Sequence, residues 1–229
     1  GKGTRLKPFT DFHPKALAVV NSVPLLERNI KYLQSFGINE FVINVHHFGE
    51  QIVEFLEKNN HFGAKIDISD EKDELLETGG GLLFAQKYLE KEENFLIMNA
   101  DILTDLNIHE LVKFHETILP LATLAVSDRN SSRKLFFNSE MVLKGWMNKN
   151  SGETKMAESN NDFKELAFSG IHCINSSIFD KIKRRGKFSI MEEYLDLMFE
   201  NEILGFQHEA RLIDVGRPES VIEAEKYFK

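Results

Sequence analysis

The 229 residues are 42 % hydrophobic and 28 % charged, a composition that excludes an intrinsically disordered chain. No apolar run is long enough to span a bilayer and no secretory signal is visible, so we expect a cytoplasmic protein without a membrane partner. The formal net charge of -8 argues against a nucleic-acid partner, because phosphate backbones select basic surfaces.

The first half of the chain alternates between strand-like and helix-like segments. Pro24 begins the first helical stretch and Gly37 ends it. The predicted helices cover 25–36, 50–56, 81–88 and 107–116, and the predicted strands cover 41–45, 65–69, 95–98 and 121–126. This alternation predicts a Rossmann-like α/β fold with a mixed, mainly parallel sheet and helices on both faces.

The pattern changes after residue 126. Residues 134–138 and 140–146 indicate a hairpin, and we interpret the polar stretch 148–162 as a loop over the site or a mobile lid. Later strands are predicted at 166–174, 203–206 and 212–213, and later helices at 190–199 and 218–227. No internal repeat is visible, so we expect a single domain over 1–229.

A short glycine-rich segment, residues 1–5, opens the chain. Its two glycines let backbone N–H groups approach an anion without a Cβ in the way, and Arg5 can hold phosphate oxygens through two parallel hydrogen bonds. The spacing matches neither the Walker A loop nor the dinucleotide-binding Gly-x-Gly-x-x-Gly. Taken alone, the segment is either a phosphate-binding loop or a plain tight turn.

A second motif, residues 13–17, places a lysine among small and apolar neighbours. Pro14 restricts the backbone of the residue before it and stiffens the approach to Lys15. On this motif alone, Lys15 is either directed at a phosphate or a surface lysine beside a turn.

The two motifs together read Gly-x-Gly-Thr-Arg-x-x-Pro-x-Thr and Pro-Lys-Ala-Leu, and the combination resembles the opening of the sugar-phosphate nucleotidyltransferases. That family includes thymidylyl-, guanylyl- and uridylyltransferases for glucose, mannose and N-acetylmuramate 1-phosphates. The resemblance implies the nucleotide-diphospho-sugar transferase fold, whose first strand precedes the glycine loop, and we expect that strand to be missing from this chain. It also implies that Arg5 and Lys15 are catalytic and that the nucleotide is bound by Gly1, Gly3, Thr4, Arg5 and Lys15.

A Glu-Thr-Gly-Gly-Gly run lies just before the predicted helix 81–88. Three glycines permit close approach to a planar base, and N–H groups at the start of a helix can hydrogen-bond it. By resemblance this segment lies against the nucleobase, which implies nucleotide binding by Glu77, Thr78, Gly79 and Gly80. Uridylyltransferases and some guanylyltransferases of the family carry a similar run.

Two aspartates follow predicted strands. Asp101 comes after strand 95–98, and Asp214 stands in Asp-Val-Gly, which is similar to the late Asp-x-Gly motif of the family. By resemblance both are ligands of one Mg²⁺, a cation that takes carboxylates together with substrate phosphates and water. An isolated aspartate after a strand is otherwise a helix cap or a turn residue.

The sugar side of the site also rests on the resemblance. In the Phe-Ser-Gly-Ile segment, Ser169 and Gly170 are the residues implied to contact the sugar phosphate, and a glycine at a bulge is the alternative. The Glu-Lys-Pro motif that handles the sugar phosphate in many family members is absent from this sequence.

The resemblance implies a Mg²⁺-dependent transferase that joins a sugar 1-phosphate to a nucleoside triphosphate and releases pyrophosphate. The attack on the α-phosphate is in line and needs no general base, because a phosphomonoester has a second pKa of about 6 and is largely dianionic at neutral pH. The barrier lies in bringing two polyanions together, which cations relieve. The sequence leaves the oligomeric state open.

Two alternatives remain. The absent Glu-Lys-Pro motif is compatible with a cytidylyltransferase for a non-sugar phosphate such as phosphocholine, and a non-catalytic regulator of the same fold would sense a nucleotide sugar. The presence of Arg5, Lys15, Asp101 and Asp214 together favours an enzyme. Among short relatives, the chain length and the Glu-Thr-Gly-Gly-Gly run favour the N-acetylmuramate-1-phosphate uridylyltransferases.

Overall fold

The computed structural model describes residues 3–72, 74–158 and 162–229. Its helices are α1 (Leu25–Gln34), α2 (Gly49–Lys58), α3 (Glu77–Phe84), α4 (Gln86–Leu89), α5 (Ile108–Ile118), α6 (Ile178–Lys181), α7 (Ile190–Leu197) and α8 (Pro218–Tyr227). Its strands are β1 (Val19–Val20), β2 (Val23–Pro24), β3 (Glu40–Val45), β4 (Lys65–Asp70), β5 (Asn94–Met98), β6 (Ile102–Thr104), β7 (Ala122–Ser127), β8 (Arg133–Phe137), β9 (Leu143–Asn148), β10 (Thr154–Met156), β11 (Lys164–Asn175), β12 (Ile203–Gln207) and β13 (Leu212–Asp214).

The long strand β11 organises the largest sheet. Its second half lies between β5 and β7 and is antiparallel to both, with His172 opposite Ile97 and Leu124. Its first half pairs with β8, which continues the sheet through β9 to β10, while β12 adds to β7 in parallel. The mixed α/β fold is confirmed, but the prediction of a mainly parallel sheet is wrong for the largest sheet. Among the described residues, β12 with β7 is its one parallel pair, because β11 runs against β5, β7 and β8, and β8, β9 and β10 alternate in direction.

An open cleft separates β3 from β5. In the described part of the chain, β3 pairs only with β4, and β5 pairs only with β11. Every residue of β3 and of β5 lines a single cavity of about 1370 Å³. The cavity is also lined by Arg5, Lys15 and Asp101, so it reaches the predicted site.

Amphipathic helices cover the sheet. Helix α1 buries Leu26 and Ile30 against Val45 of β3 and against α2, while α7 packs on the β7–β11 region. The core there contains His172, whose Nδ1 lies 2.7 Å from the Tyr194 hydroxyl oxygen. Burial lowers the pKa of His172 to about 3, so its imidazole is neutral in the folded protein.

Two sequence predictions need correction. The polar stretch 148–162 contains β10, which pairs with β9 through Lys155 opposite Trp146, while residues 159–161 lie outside the described residues. The helix predicted at 81 begins at Glu77, so the glycine run forms its first turns. In the first case polar side chains on an edge strand hid the strand, and in the second, packing overrides the low helix propensity of glycine. None of the described helices combines the length and hydrophobicity needed to cross a bilayer.

Candidate active site

The loop before α1 folds into three short 3-10 turns, Thr4–Leu6, Phe9–Asp11 and Lys15–Leu17. Gly3 has a positive φ of 59°, and a Cβ there would lie 2.8 Å from Thr10 Cγ2. The Thr10 hydroxyl donates to the Gly3 carbonyl at 2.9 Å and ties the loop to itself. Only glycine fits this left-handed, crowded position without strain. Gly1 lies outside the described residues, so its predicted role stays a prediction.

Lys15 joins the two predicted metal ligands. Its ammonium donates to a carboxylate oxygen of Asp101 and lies 3.4 Å from Asp214 Oδ1. Arg5 Nη2 lies 3.8 Å from the other oxygen of Asp214. The Lys15 side chain is 13 % exposed, whereas the two carboxylates are 31 % and 49 % exposed. The structure therefore brings together two cations and two carboxylates that lie far apart in the sequence.

Backbone hydrogen bonds hold the two aspartates side by side. β6 and β13 are antiparallel with Asp214 opposite Ile102, and the Val215 N–H donates to the Asp101 carbonyl at 2.8 Å. Both aspartates lie at the same end of this two-stranded ribbon, Asp101 just before β6 and Asp214 as the last residue of β13. Their separation is thus fixed by the main chain and not by the side chains that lie between them.

Position 216, two residues after Asp214, has no room for a side chain. A Cβ at this position would lie 2.8 Å from Asp214 Oδ1, 3.1 Å from Arg5 Nη2 and 3.1 Å from Lys15 Nζ. The main chain therefore passes directly beside the three charged groups. Any side chain at Gly216 would displace them.

The two carboxylates fit a hard divalent cation. Their oxygens already share one cation, the Lys15 ammonium, which shows that a positive charge can contact both at once. Carboxylate oxygen is the ligand that Mg²⁺ prefers. In the described residues, no group of three or more histidine, cysteine, aspartate or glutamate side chains could hold a metal. Such a two-carboxylate site would need further ligands from phosphates or water.

The Glu-Thr-Gly-Gly-Gly run is fixed by contacts with the segment before α7. Gly79 and Gly80 N–H groups donate to the Phe188 carbonyl at 2.9 and 3.2 Å. A Cβ on Gly80 would lie 2.1 Å from the Gly186 carbonyl oxygen. These two glycines are buried, whereas Glu77 and Thr78 are exposed and line the cleft.

Ser169 and Gly170 lie on β11 where its register with β7 shifts. Gly170 has a φ of 75°, and its carbonyl accepts from the Asn99 N–H at 2.9 Å. The Ser169 hydroxyl is buried 2.9 Å from His208 Nε2. Gly170 is thus placed beside the segment that leads to Asp101, and Ser169 points into the protein.

Two supporting residues escaped the sequence analysis. Asn29 of α1 donates to the carbonyl of Ala100 at 3.0 Å and fixes the residue before Asp101. The buried Glu71 accepts from Asn44 at 3.0 Å and from the Leu76 N–H at 3.1 Å, which anchors the start of α3. Glu71 follows β4 directly, so the position of polar residues after strands contained a signal for it, whereas nothing in the sequence singles out Asn29.

Comparison with known proteins gives a consistent result. The family model described as nucleotidyl transferase matches residues 1–229. Mannose-1-phosphate guanyltransferases from Gibberella zeae and Debaryomyces hansenii are each 28 % identical over 225 residues, covering 97 % of this chain and 60 % of those proteins. The chain therefore spans about 60 % of the length of these relatives.

A solved structure shares the fold. HddC from Yersinia pseudotuberculosis, determined in complex with GMP-PN, superposes with a TM-score of 0.81 at 22 % identity, covering 100 % of this chain and 96 % of that one.

Proposed function

Because this chain belongs to the nucleotidyl transferase family, we propose that it joins a sugar 1-phosphate to a nucleoside triphosphate and releases pyrophosphate. The observation that carries the proposal is the convergence of Lys15 and Arg5 on the paired carboxylates Asp101 and Asp214. Such a site suits the transfer of a nucleotidyl group from one phosphate to another, because its cations can neutralise the charge of the two polyanions.

In the proposed reaction, a phosphate oxygen of the sugar 1-phosphate forms a bond to the α-phosphorus of the triphosphate. The bond from the α-phosphorus to the oxygen that bridges to the β-phosphorus breaks, and pyrophosphate leaves with that electron pair. No proton has to be removed, because the attacking phosphomonoester, with a second pKa of about 6, is already largely dianionic at neutral pH. The protein's task is therefore to position the phosphates and neutralise their charge.

We propose that two cations of the loop before α1 neutralise the charge of the phosphates. We assign Lys15, which is held by Asp101 beside the cleft, to the α-phosphate, and the more exposed Arg5 to the leaving phosphates. Gly3 and Thr4 of the same loop line the cleft, where main-chain N–H groups suit an anion. Glu77 and Thr78 also line it and are the residues we assign to the base.

Mg²⁺ is the cofactor we propose for Asp101 and Asp214. When bound, it would neutralise phosphate charge on the triphosphate and the leaving pyrophosphate. The two carboxylates would hold this ion, since their spacing is fixed by the hydrogen bond from the Val215 N–H to the Asp101 carbonyl.

Two pairs of substrates are the main candidates for the proposed reaction. The curated relatives are named mannose-1-phosphate guanyltransferases, which favours GTP with mannose 1-phosphate. The Glu-Thr-Gly-Gly-Gly run favours UTP with N-acetylmuramate 1-phosphate. Both pairs belong in the first experiment.

That experiment measures pyrophosphate release by the purified protein with Mg²⁺. Four nucleoside triphosphates are crossed with a panel of sugar 1-phosphates and with phosphocholine. Lys15→Gln serves as the inactive variant, and Lys7→Gln, an exposed lysine of the same loop that pairs with Asp11 at 2.7 Å, is the matched control.

Release with one sugar 1-phosphate, lost in Lys15→Gln and kept in Lys7→Gln, is the expected result. Release with phosphocholine alone would replace the sugar by a non-sugar phosphate. No release with any pair, together with binding of a nucleotide sugar, would overturn the enzyme in favour of a regulator.

A further inference from the structure

Arg129 is a partly buried cation that forms no ion pair with a carboxylate of the described residues. It follows β7, and its Nη2 donates to the carbonyl of Phe168 at 2.8 Å. Its Nε is buried and has no hydrogen-bond partner within residues 3–72, 74–158 and 162–229, and no ion pair is formed by its guanidinium there. A desolvated guanidinium with unused donors is costly to keep unless something anionic compensates it.

The position of Arg129 links it to the candidate site. Phe168 immediately precedes Ser169 and Gly170 on β11, and the Gly170 carbonyl accepts from Asn99, two residues before Asp101. Arg129 therefore anchors the stretch of β11 that borders the segment leading to Asp101. Its hydrogen bond to Phe168 uses one of the five guanidinium N–H donors, and the buried Nε–H has no partner among the described residues.

The charge of Arg129 interacts with that of Asp214, one of the two carboxylates of the candidate site. Burial lowers the pKa of the Arg129 guanidinium, and the negative charge of Asp214 raises it. Arg5 and Lys15 contact Asp214 directly, whereas Arg129 acts on it without an ion pair. Of the three cations that interact with Asp214, two belong to the loop assigned to the triphosphate.

We propose that Arg129 binds the phosphate of the sugar 1-phosphate. The inference rests on the proposed function, because a second phosphate must enter beside the triphosphate and needs a cation of its own. Arg129 offers a planar set of N–H donors that matches phosphate oxygens, and its bond to Phe168 fixes the guanidinium beside β11.

A purely structural role for Arg129, as a clamp on β11, makes a different prediction. Loss of a clamp would lower stability and affect both substrates alike. Loss of a phosphate ligand raises the KM for the sugar 1-phosphate and leaves the KM for the triphosphate unchanged. The split between the two KM values therefore separates the two roles.

The test compares wild type, Arg129→Gln, Arg129→Lys and Arg133→Gln. Arg133 is an exposed arginine on the neighbouring strand β8 and serves as the matched control. Each protein is assayed for pyrophosphate release with GTP and mannose 1-phosphate, or with whichever panel pair the wild type uses, varying one substrate at a time. Thermal midpoints are measured in parallel.

We expect Arg129→Gln to raise the KM for the sugar 1-phosphate by about 10- to 100-fold, the effect of losing hydrogen bonds to a charged group, with the triphosphate KM within about twofold. Arg129→Lys, which keeps the charge, should fall between wild type and Arg129→Gln, and Arg133→Gln should match wild type. If Arg129→Gln does not fold, the KM of Arg129→Lys decides.

The inference about Arg129 would be overturned, and the proposed function kept, if the wild type is active and the Arg129 variants leave the KM for the sugar 1-phosphate unchanged. The same holds if they raise the KM values of both substrates alike. A wild type inactive with every pair would overturn the proposed function and the inference together.

Discussion

The N–H of Val215 donates to the carbonyl of Asp101 at 2.8 Å, so the residue that follows one candidate metal ligand is hydrogen-bonded to the other. The two carboxylates are held together by main-chain atoms, and the charged side chains around them carry little of the framework. Substitutions of those side chains should therefore change the chemistry of the site and leave the fold in place.

Replacing Lys15 by Gln tests this separation. The change removes the ammonium that contacts both carboxylates, and we expect turnover to fall by about 10²- to 10³-fold, as for the loss of one donor to developing charge. The thermal midpoint should stay near that of wild type, since the two carboxylates are partly exposed and their repulsion is screened. Steady-state pyrophosphate release and a thermal melt measure the two effects. Full turnover in Lys15→Gln would remove Lys15 from the mechanism.

Gly216→Ala should impair activity through geometry. The new methyl group would lie 2.8 Å from Asp214 Oδ1 and 3.1 Å from Lys15 Nζ, and these side-chain ends must move away. Misplacement of reacting groups by about 1 Å can cost on the order of 100-fold in rate. Because only mobile side-chain ends are displaced, the melting temperature should change little. A variant with wild-type rates would show that the contact does not govern the site.

In Gly80→Ala, two effects on the free energy of unfolding oppose each other, and we expect the destabilising one to be larger. In an exposed helix, Ala would be more stable than Gly by about 1 kcal/mol. Here the added Cβ would lie 2.1 Å from the Gly186 carbonyl oxygen, a main-chain atom that cannot move aside easily. We expect a net loss of about 1–3 kcal/mol in the free energy of unfolding, measured by urea denaturation.

Gly63→Asn is the control for that experiment. Gly63 also has a positive φ, but nothing lies within 4 Å of its Cβ position, and Asn tolerates the left-handed region. Its unfolding free energy should stay within about 0.5 kcal/mol of wild type. Equal losses in the two variants would indicate a general cost of replacing glycine.

The buried histidines predict that stability falls in mild acid. Burial lowers the pKa of His172 to about 3 and that of His115 to about 4, from an ordinary value of 6.5. Between pH 6.5 and the lowered pKa of each histidine, that histidine is protonated in the unfolded chain and neutral in the folded one. The free energy of unfolding therefore decreases as the pH falls below about 6.5. Each histidine contributes a slope of at most about 1.4 kcal/mol per pH unit.

Urea titrations at pH 7.5 and 5.5 measure that slope. His172→Gln should have a smaller dependence on pH than wild type, whereas His47→Gln, a substitution of an exposed histidine, should leave the dependence unchanged. A slope that does not differ between wild type and His172→Gln would exclude His172 as its source.

Features that depend on neighbouring residues in the chain could be predicted from the sequence. Asp101 and Asp214 each follow an apolar run, and their spacing from that run predicts that they lie at strand ends. The structure places them there and adds Lys15 between them. The order of helices and strands is local in the same sense, because each depends on the periodicity of its own residues.

The rest depends on partners that are remote in the sequence. The glycines at 79 and 80 suggest room for a ligand, but the space beside them is filled by Phe188 and Gly186. Strand β10 is polar and forms only because β9 offers it an edge. No periodicity in the sequence reports either contact, since both are decided by tertiary packing.

The cleft between β3 and β5 makes edge strands of both inside the molecule, and amide hydrogen exchange should report this. Central strands normally exchange slowest, because both of their edges are hydrogen-bonded. Here the described part of the chain leaves one edge of β3 and one edge of β5 without a neighbouring strand, inside the molecule. Their cleft-facing amides should exchange earlier than those of β7, which is paired on both sides. An extended segment that enters the cleft and pairs with both edges would protect these amides, so deuterium uptake at β3 and β5 reports directly on whether the cleft is filled.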